Sequence, residues 1–395
     1  MKILIVSQHY WPEPFRITDI AESLALNGHS VTVLCGLPNY PGGHVLNDYR
    51  KGKNRFQEHN GVKIIRVKEI GRRNNIFFRY LNYWSYPHYA KKIVKNLKDN
   101  YDVIYSQMSS PIMMALPALK YAETFKKNVL MYAMDLWPES LLAGGIKPNS
   151  LIYKHYKKVS SKIYSKCNKI LVTTKEHIDY IKNLPNCNKC DIGYLPQYAD
   201  SIFEETDFKT VDNGIIDLMF AGNIGKAQSI ETIIKAASIL NNNPHFIFHI
   251  VGSGSDLENV KRLSKELSLK NVIFYGQKSI EDMPDIYSVA DVMLVTLEDK
   301  PYANMTIPGK IQTYMAVGKP IVGAISGSCN EFINNNKIGY CCEAEDYKGL
   351  ANLILQLDEA NLKNIGAHSK DVYYQKYSKD IFLKKIVESL EKLLK

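Results

Sequence analysis

The 395-residue chain lacks any uninterrupted apolar run of about 18 residues, the length a helix needs to cross a bilayer. Its opening, MKILIVSQ, is too short an apolar run for a secretory leader, and no small-residue cleavage motif follows it. It reads as a first strand. An even set of regularly spaced cysteines is also missing: there are seven, scattered through the chain, which suits a reducing compartment and excludes a disulfide framework. The expectation is a cytoplasmic protein. The CxxC of Cys187 and Cys190 has no two further ligands at zinc spacing, and Cys341 and Cys342 are adjacent within a strand-like run, so no metal site is expected.

Acidic residues are scarce in one region. Between Arg50 and Lys98 fourteen Lys and Arg face only Glu58 and Glu69, whereas the whole chain carries a formal charge of +10. The remainder is therefore slightly acidic, and one face of the first half should be cationic.

What is present points to two domains, since the chain exceeds what one core usually serves. Apolar runs at Lys2–Val6, Val31–Leu34, Val62–Val67, Val103–Tyr105, Val129–Tyr132, Ile170–Thr173 and Ile192–Leu195 alternate with helical stretches near 17–27, 111–124 and 151–165. The segment PQYADSIFEETD reads as a linker. Alternation then resumes with strands at Ile215–Phe220, Phe246–Val251, Val272–Tyr275, Val292–Val295 and Ile321–Val322. Strands separated by helices argue for α/β domains with parallel sheets covered on both faces. Residues 36–60 have no periodicity and read as a long loop.

In doubly wound sheets the ligand crevice lies at the strand ends. After the first strand stand His9, Glu13, Arg16 and Asp19; later ends carry Ser106-Gln107 and the run from Asp135 to Glu139. A solvated loop would look similar, and Asp135 could instead cap a turn. In the second half, LMFAGNIGKAQSI passes from a strand through Gly222, Asn223 and Gly225 to Lys226 and a helix start, an order that can offer free N–H groups to a phosphate. Ordinary turn punctuation is the competing reading. A second helix start follows Thr306 and Pro308, with Lys310 in its first turn, where a cation opposes the helix dipole unless an anion is bound.

One further stretch combines rings with cations: Phe77, Phe78 and Trp84 interleave with Arg72, Arg73, Lys91 and Lys92. That composition fits a peripheral protein resting on an anionic bilayer. It also fits a core helix with a basic outer face, or a single-stranded nucleic-acid platform.

Taken together, MKILIVSQHYWPEP, MDLWPES, FAGNIGKAQSIETII, IVGSGSDL and PGKIQTYMAVGKPIV resemble the retaining glycosyltransferases of family 4, over essentially the whole chain. Within that family the chain looks most like the branch that includes N-acetyl-fucosaminyltransferases of bacterial surface polysaccharide synthesis. The resemblance implies two Rossmann-like domains facing across a cleft, the GT-B architecture. It implies an acceptor domain over 1–200, a nucleotide-sugar domain over 201–375, and a C-terminal helix over 376–395 packing back on the first.

Carried over, Gly222, Asn223, Gly225 and Lys226 would hold the diphosphate of a UDP-linked sugar, with Thr306 and Lys310 opposite and Gln277 at the nucleobase. Lys226 would neutralise the leaving diphosphate, so neither metal nor other cofactor is needed. Many relatives carry two glutamates eight positions apart in the last motif; here Met305 and Thr313 stand in those places, leaving Glu298 or Thr306 as substitutes. The family's frequent histidine falls at Gln107, so Asp135 and Glu139 become the catalytic candidates, with Glu13, Arg16, Asp19 and Gln107 on the acceptor side. The acceptor implied is a polyprenyl-diphosphate-linked saccharide, met by a cytoplasmic enzyme peripheral on the inner face of the plasma membrane, with no nucleic acid involved. A sugar-nucleotide 2-epimerase of the same architecture, or a non-catalytic module binding anionic lipid or nucleic acid, are the alternatives.

Overall fold

A computed structural model describes residues 1–40, 42–71, 76–97, 100–208 and 213–394. It separates into two compact units, one of Met1–Leu195 with Leu383–Lys395, the other of Pro196–Phe382.

The first unit is built on strands β1 (Lys2–Val6), β2 (Ser30–Cys35), β3 (Phe56–His59), β4 (Val62–Arg66), β5 (Val103–Met108), β6 (Val129–Ala133), β7 (Lys169–Val172) and β8 (Ile192–Tyr194). They form one sheet in the order β3-β4-β2-β1-β5-β6-β7-β8. Every neighbouring pair is parallel except β3 with β4. All six residues of β5 and all five of β6 are buried, as expected of strands covered on both faces, which is why they read as continuous apolar runs. The order reverses between β1 and β5, and there a doubly wound sheet opens its crevice.

Strand β3 is a departure from the expected loop. Phe56 pairs with Ile65 and His59 with Val62, so an exposed antiparallel hairpin edges the sheet. Its outward residues are polar or solvent-facing, and an edge strand of this kind has no apolar alternation to betray it. The expected 111–124 helix is likewise two pieces, a 3₁₀ turn at Ile112–Ala115 and a helix at Leu116–Phe125. The final helix, Lys379–Lys392, contributes its residues from Leu383 onward to this unit, where Asn128 Nδ2 donates to the carbonyl of Leu393 at 2.6 Å.

The second unit has strands β9 (Ile216–Ala221), β10 (Phe246–Val251), β11 (Val272–Gly276), β12 (Val292–Thr296), β13 (Ile321–Ala324) and β14 (Gly339–Cys342). Their order is β11-β10-β9-β12-β13-β14, all parallel, with the reversal between β9 and β12. Leu218, Phe220, Ile233 and Ile250 fill the core on one face; Met219, Ala221, Tyr314 and Ile333 fill it on the other. The stretch expected as a linker belongs to this core. It forms a helix at Ser201–Glu205 with Phe203 buried, a single apolar anchor too isolated to show a period.

Candidate functional site

In the second unit a cavity of about 410 Å³ opens at the ends of β9 and β10, lined by Gly222, Asn223, Gly252, Gln277, Lys310 and Thr313 among others. Its floor is set by backbone contact. Gly252 has φ +136°, and a Cβ there would lie 1.8 Å from the carbonyl oxygen of Gly222, so no side chain can stand between the two loops. Tyr314 fixes the end of β9 from the opposite side: its hydroxyl accepts from the Ala221 N–H at 3.2 Å and donates to the Ala221 carbonyl at 3.1 Å. Gln228 fixes the turn itself, its Oε1 accepting from Asn223 Nδ2 at 3.0 Å and from the Gly225 N–H at 3.2 Å.

These contacts narrow the expectation of a turn with free amides, because three of its N–H groups are already engaged. The N–H of Gly222 is bonded to Val251 O, that of Ile224 to Ser253 O, and that of Gly225 to Gln228. These three bonds hold the turn's shape, and a full positive charge for an anion has to come from a side chain. Lys226 does not supply it within this cavity. It is exposed on a 3₁₀ turn (Lys226–Gln228) and lines a different pocket of about 510 Å³ together with Glu231, Asp256, Arg262, Glu298 and Glu345.

Lys310 does. Its amine is buried and has no hydrogen-bond partner in the structure. The amine sits 3.7 Å from the ring centroid of Phe220 and 2.8 Å from where a Cβ on Gly222 would be. Burial pulls the ammonium down to about 7, the nearby Cys329 opposing that shift. Part of the stem reaches solvent while the nitrogen does not. A buried, unpaired amine is costly, and an anion in the cavity would relieve that cost.

The helix carrying Lys310 begins at that residue rather than at Pro308 and runs only to Ala316; Pro308 instead accepts from the Ile311 N–H. Thr306 is exposed and hydrogen-bonded to Tyr302 O, outside the residues lining the cavity. Glu298, the candidate substitute carboxylate, accepts from the Tyr302 hydroxyl and lines the pocket of Lys226. Gln277 lines the cavity mouth, its Oε1 accepting from Ser253 Oγ at 3.0 Å. Sequence reasoning missed Gln228 and Tyr314, whose roles depend on which loop each side chain reaches.

In the first unit, Glu13 is buried beside the end of β1. One carboxylate oxygen accepts the N–H of Asn39 at 2.8 Å and of Tyr40 at 2.7 Å; the other meets His9 Nδ1 at 3.0 Å. Glu13 therefore organises the loop and does not face outward. Arg16 stands near Tyr132, whose hydroxyl donates to Leu195 O, and Asp19 lies in the first turn of the helix Ile17–Leu26, where an acid suits the dipole. Gln107 is buried, with its amide between the Tyr105 hydroxyl at 2.6 Å and Met134 Sδ.

Asp135 reaches solvent, although protein packed around it raises its carboxyl above the usual range. Glu139 is buried and accepts from the hydroxyls of Tyr153, at 2.5 Å, and Tyr180. Burial and the Glu139 carboxylate together raise both phenols, Tyr153 to about 12. The two carboxylates have opposite environments.

Of the basic aromatic segment, Arg72 and Arg73 lie outside the described residues, as does the side chain of Phe77. The rest forms a helix, Ile76–Val94, that is both core and surface. Tyr86 is fully buried and donates to the carbonyls of Ser7 and Leu34; Phe78 and Trp84 are half-buried, Trp84 Nε1 pointing to the Tyr156 hydroxyl at 3.4 Å. On the outer side Lys91, Lys92, Lys95 and Lys120 rim a mainly apolar groove of about 570 Å³. Lys91 is lowered by desolvation and then by repulsion from Lys120. The cationic run does not occupy one face throughout, because Arg66 is buried against Tyr49 and Cys35.

Residues 203–372, nearly all of the second unit, match the model of the family described as glycosyl transferases group 1. The chain is a glycosyltransferase, and its similarity to the group 1 model lies within the second unit. It is 28% identical over 305 residues to a protein of Pseudomonas aeruginosa named "Probable glycosyltransferase WbjE", covering 74% of this chain and 75% of that one. It is 25% identical over 342 residues to WcaI of Escherichia coli K12, a protein named for colanic acid biosynthesis, covering 80% and 82%. The fold matches that of HepE from Anabaena, solved with UDP and glucose, with a TM-score of 0.70 at 15% identity over 99% of both chains. The glycosyltransferase thus has two parallel-sheet α/β units of the GT-B class. Among the described residues no cluster of His, Cys, Asp and Glu is arranged to hold a metal ion, and no helix is long and apolar enough to cross a membrane.

Proposed function

We propose that the glycosyltransferase takes a UDP-linked sugar into the cavity of the second unit and transfers it, with retention, to a polyprenyl-diphosphate-linked saccharide during surface polysaccharide synthesis. The observation that carries this reading is the buried amine of Lys310 beneath Gly222, an uncompensated charge site of a size and chemistry suited to a diphosphate. The names of WcaI and of the HepE complex support the pathway class and the base, respectively. The residue pattern of family 4, and of its N-acetyl-fucosaminyltransferase-like branch, supports retention and an amino-sugar donor.

In this reading Lys310, not Lys226, neutralises the diphosphate as the glycosidic bond breaks, a role a metal can serve elsewhere. The leaving phosphate takes the proton of the acceptor hydroxyl on the same face of the sugar, so no protein nucleophile is required. Thr313 and Gln277 border the nucleoside, and Asp135 is the solvent-reaching carboxylate left to orient a sugar hydroxyl. The lysine-rimmed groove of the first unit rests on anionic lipid at the inner face of the membrane, its apolar floor taking the lipid chain and its cations the phosphates.

The test is calorimetric titration of UDP into Lys310→Met and Lys226→Ala. A charge-assisted phosphate contact is worth about 1.5–3 kcal/mol, so the first variant should bind roughly 10- to 100-fold more weakly. The second should stay within about threefold. Undiminished binding by Lys310→Met would sink the assignment.

A further inference from the structure

Resting on the transferase reading, we infer that His9 is the group that touches the acceptor saccharide, and that Glu13 serves it as a positioning residue. The Glu13 carboxylate already accepts two backbone N–H groups on one oxygen, so its remaining oxygen is an acceptor directed at the imidazole. In the neutral ring this places the proton on Nδ1 and leaves the Nε2 lone pair unused. Among the described residues no protein group bonds to that nitrogen, and the ring retains 14% of its side-chain exposure while Glu13 retains 3%.

The surroundings match a sugar better than they match a bare anion. His9 stacks on Phe15, with centroids 4.4 Å apart and planes 17° from parallel. Tyr40 stands edge-on to Phe15 at 5.0 Å and is 49% exposed. A rigid aromatic wall beside one fixed hydrogen-bond acceptor suits a pyranose, which offers apolar C–H faces and hydroxyl donors. The loop follows β1 at the point where the sheet order reverses, the crevice position of a doubly wound sheet. The same loop is pinned further: Tyr40 and Asn39 cannot move without breaking their bonds to Glu13.

The obvious rival location for an imidazole is the end of β5, but Gln107 there is buried and committed to Tyr105 and Met134. That leaves His9 as the partly exposed imidazole at the reversal point of this sheet. Its job is to accept a hydrogen bond from an acceptor hydroxyl and so to set the orientation of the attacking saccharide; the proton still leaves with the donor phosphate.

Two variants test this in a transfer assay with UDP-N-acetyl-hexosamines and a set of polyprenyl-diphosphate-linked mono- and disaccharides. His9→Phe keeps the stacking and removes the nitrogen. Glu13→Gln can keep the two backbone bonds but presents an NH₂ to Nδ1, which moves the ring proton to Nε2 and turns the acceptor into a donor. Each should raise the acceptor KM at least tenfold with the donor KM and the melting temperature little changed. An unchanged acceptor KM in His9→Phe overturns the inference, as does a parallel loss of UDP affinity, which would mark a purely structural role. If the unaltered chain transfers nothing, the parent reading fails and this one with it; if it transfers and His9→Phe does so equally well, only this one fails.

Discussion

The Lys310 amine lies over the face of Phe220, 3.7 Å from the ring centroid, and reaches no hydrogen-bond acceptor. A ring face attracts a cation but does not replace a hydrogen bond, so the charged form stays poorly solvated and the ammonium is depressed to about 7.

The sign of the resulting pH dependence is set by linkage. The unfolded chain holds this proton up to about 10.4, the folded one only to about 7, so the unfolded state binds more protons between those values. This lysine's contribution to stability is complete above the unfolded value and is lost as pH falls through 7. Lys310→Met should therefore raise the melting temperature of the ligand-free protein at pH 6.5 by several degrees, and by much less at pH 9.5. Scanning calorimetry at the two values checks this.

Ligand binding should run the same equilibrium backwards. A diphosphate beside the amine restores the proton, so UDP binding at pH 8 should take up a fraction of a proton from the medium. Titration calorimetry in two buffers of different ionisation enthalpy measures that uptake, and Lys310→Met should abolish it.

Glu139 should behave as a structural acid. With Tyr153 and Tyr180 both donating to it, Glu139→Ala leaves one buried and one half-buried hydroxyl without their acceptor and should cost about 1–3 kcal/mol of stability, read from denaturant midpoints. Asp135→Asn should leave stability nearly unchanged while reducing turnover. A large stability loss at Asp135 would show that its exposed carboxylate is holding the fold instead.

The lysine rim has its own measurement. Near an anionic surface each lysine contributes on the order of 1 kcal/mol, so replacing Lys91 and Lys92 by Gln should weaken sedimentation with phosphatidylglycerol vesicles roughly 10- to 30-fold at low salt. Binding to neutral vesicles should not respond.

Much of the architecture was legible because parallel strands buried on both faces write themselves as apolar runs, as in Val129–Ala133 and Phe246–Val251. Strand β3 was hidden because an edge hairpin needs no such run, and the helix at Ser201–Glu205 because one buried Phe203 has no period. The cavity was half legible. Gly222, Asn223, Gln277 and Lys310 line one cavity, yet Lys226 lies elsewhere and the amides of Gly222, Ile224 and Gly225 are engaged. Which way a lysine points, and which amides a neighbouring loop consumes, are tertiary facts. Two residues with the same charge and similar motif contexts were indistinguishable until the fold buried one and exposed the other.

The bond from Asn128 to the carbonyl of Leu393 joins the residue that leads into β6 of the first unit to almost the last residue described. A ribosome that has released the first 195 residues has therefore not yet released the means to complete their fold. The second unit can close on itself while the first still waits for its last segment. Damage to the segment from Leu383 onward would accordingly appear as a defect of the first unit, nearly two hundred residues along the chain from Leu195.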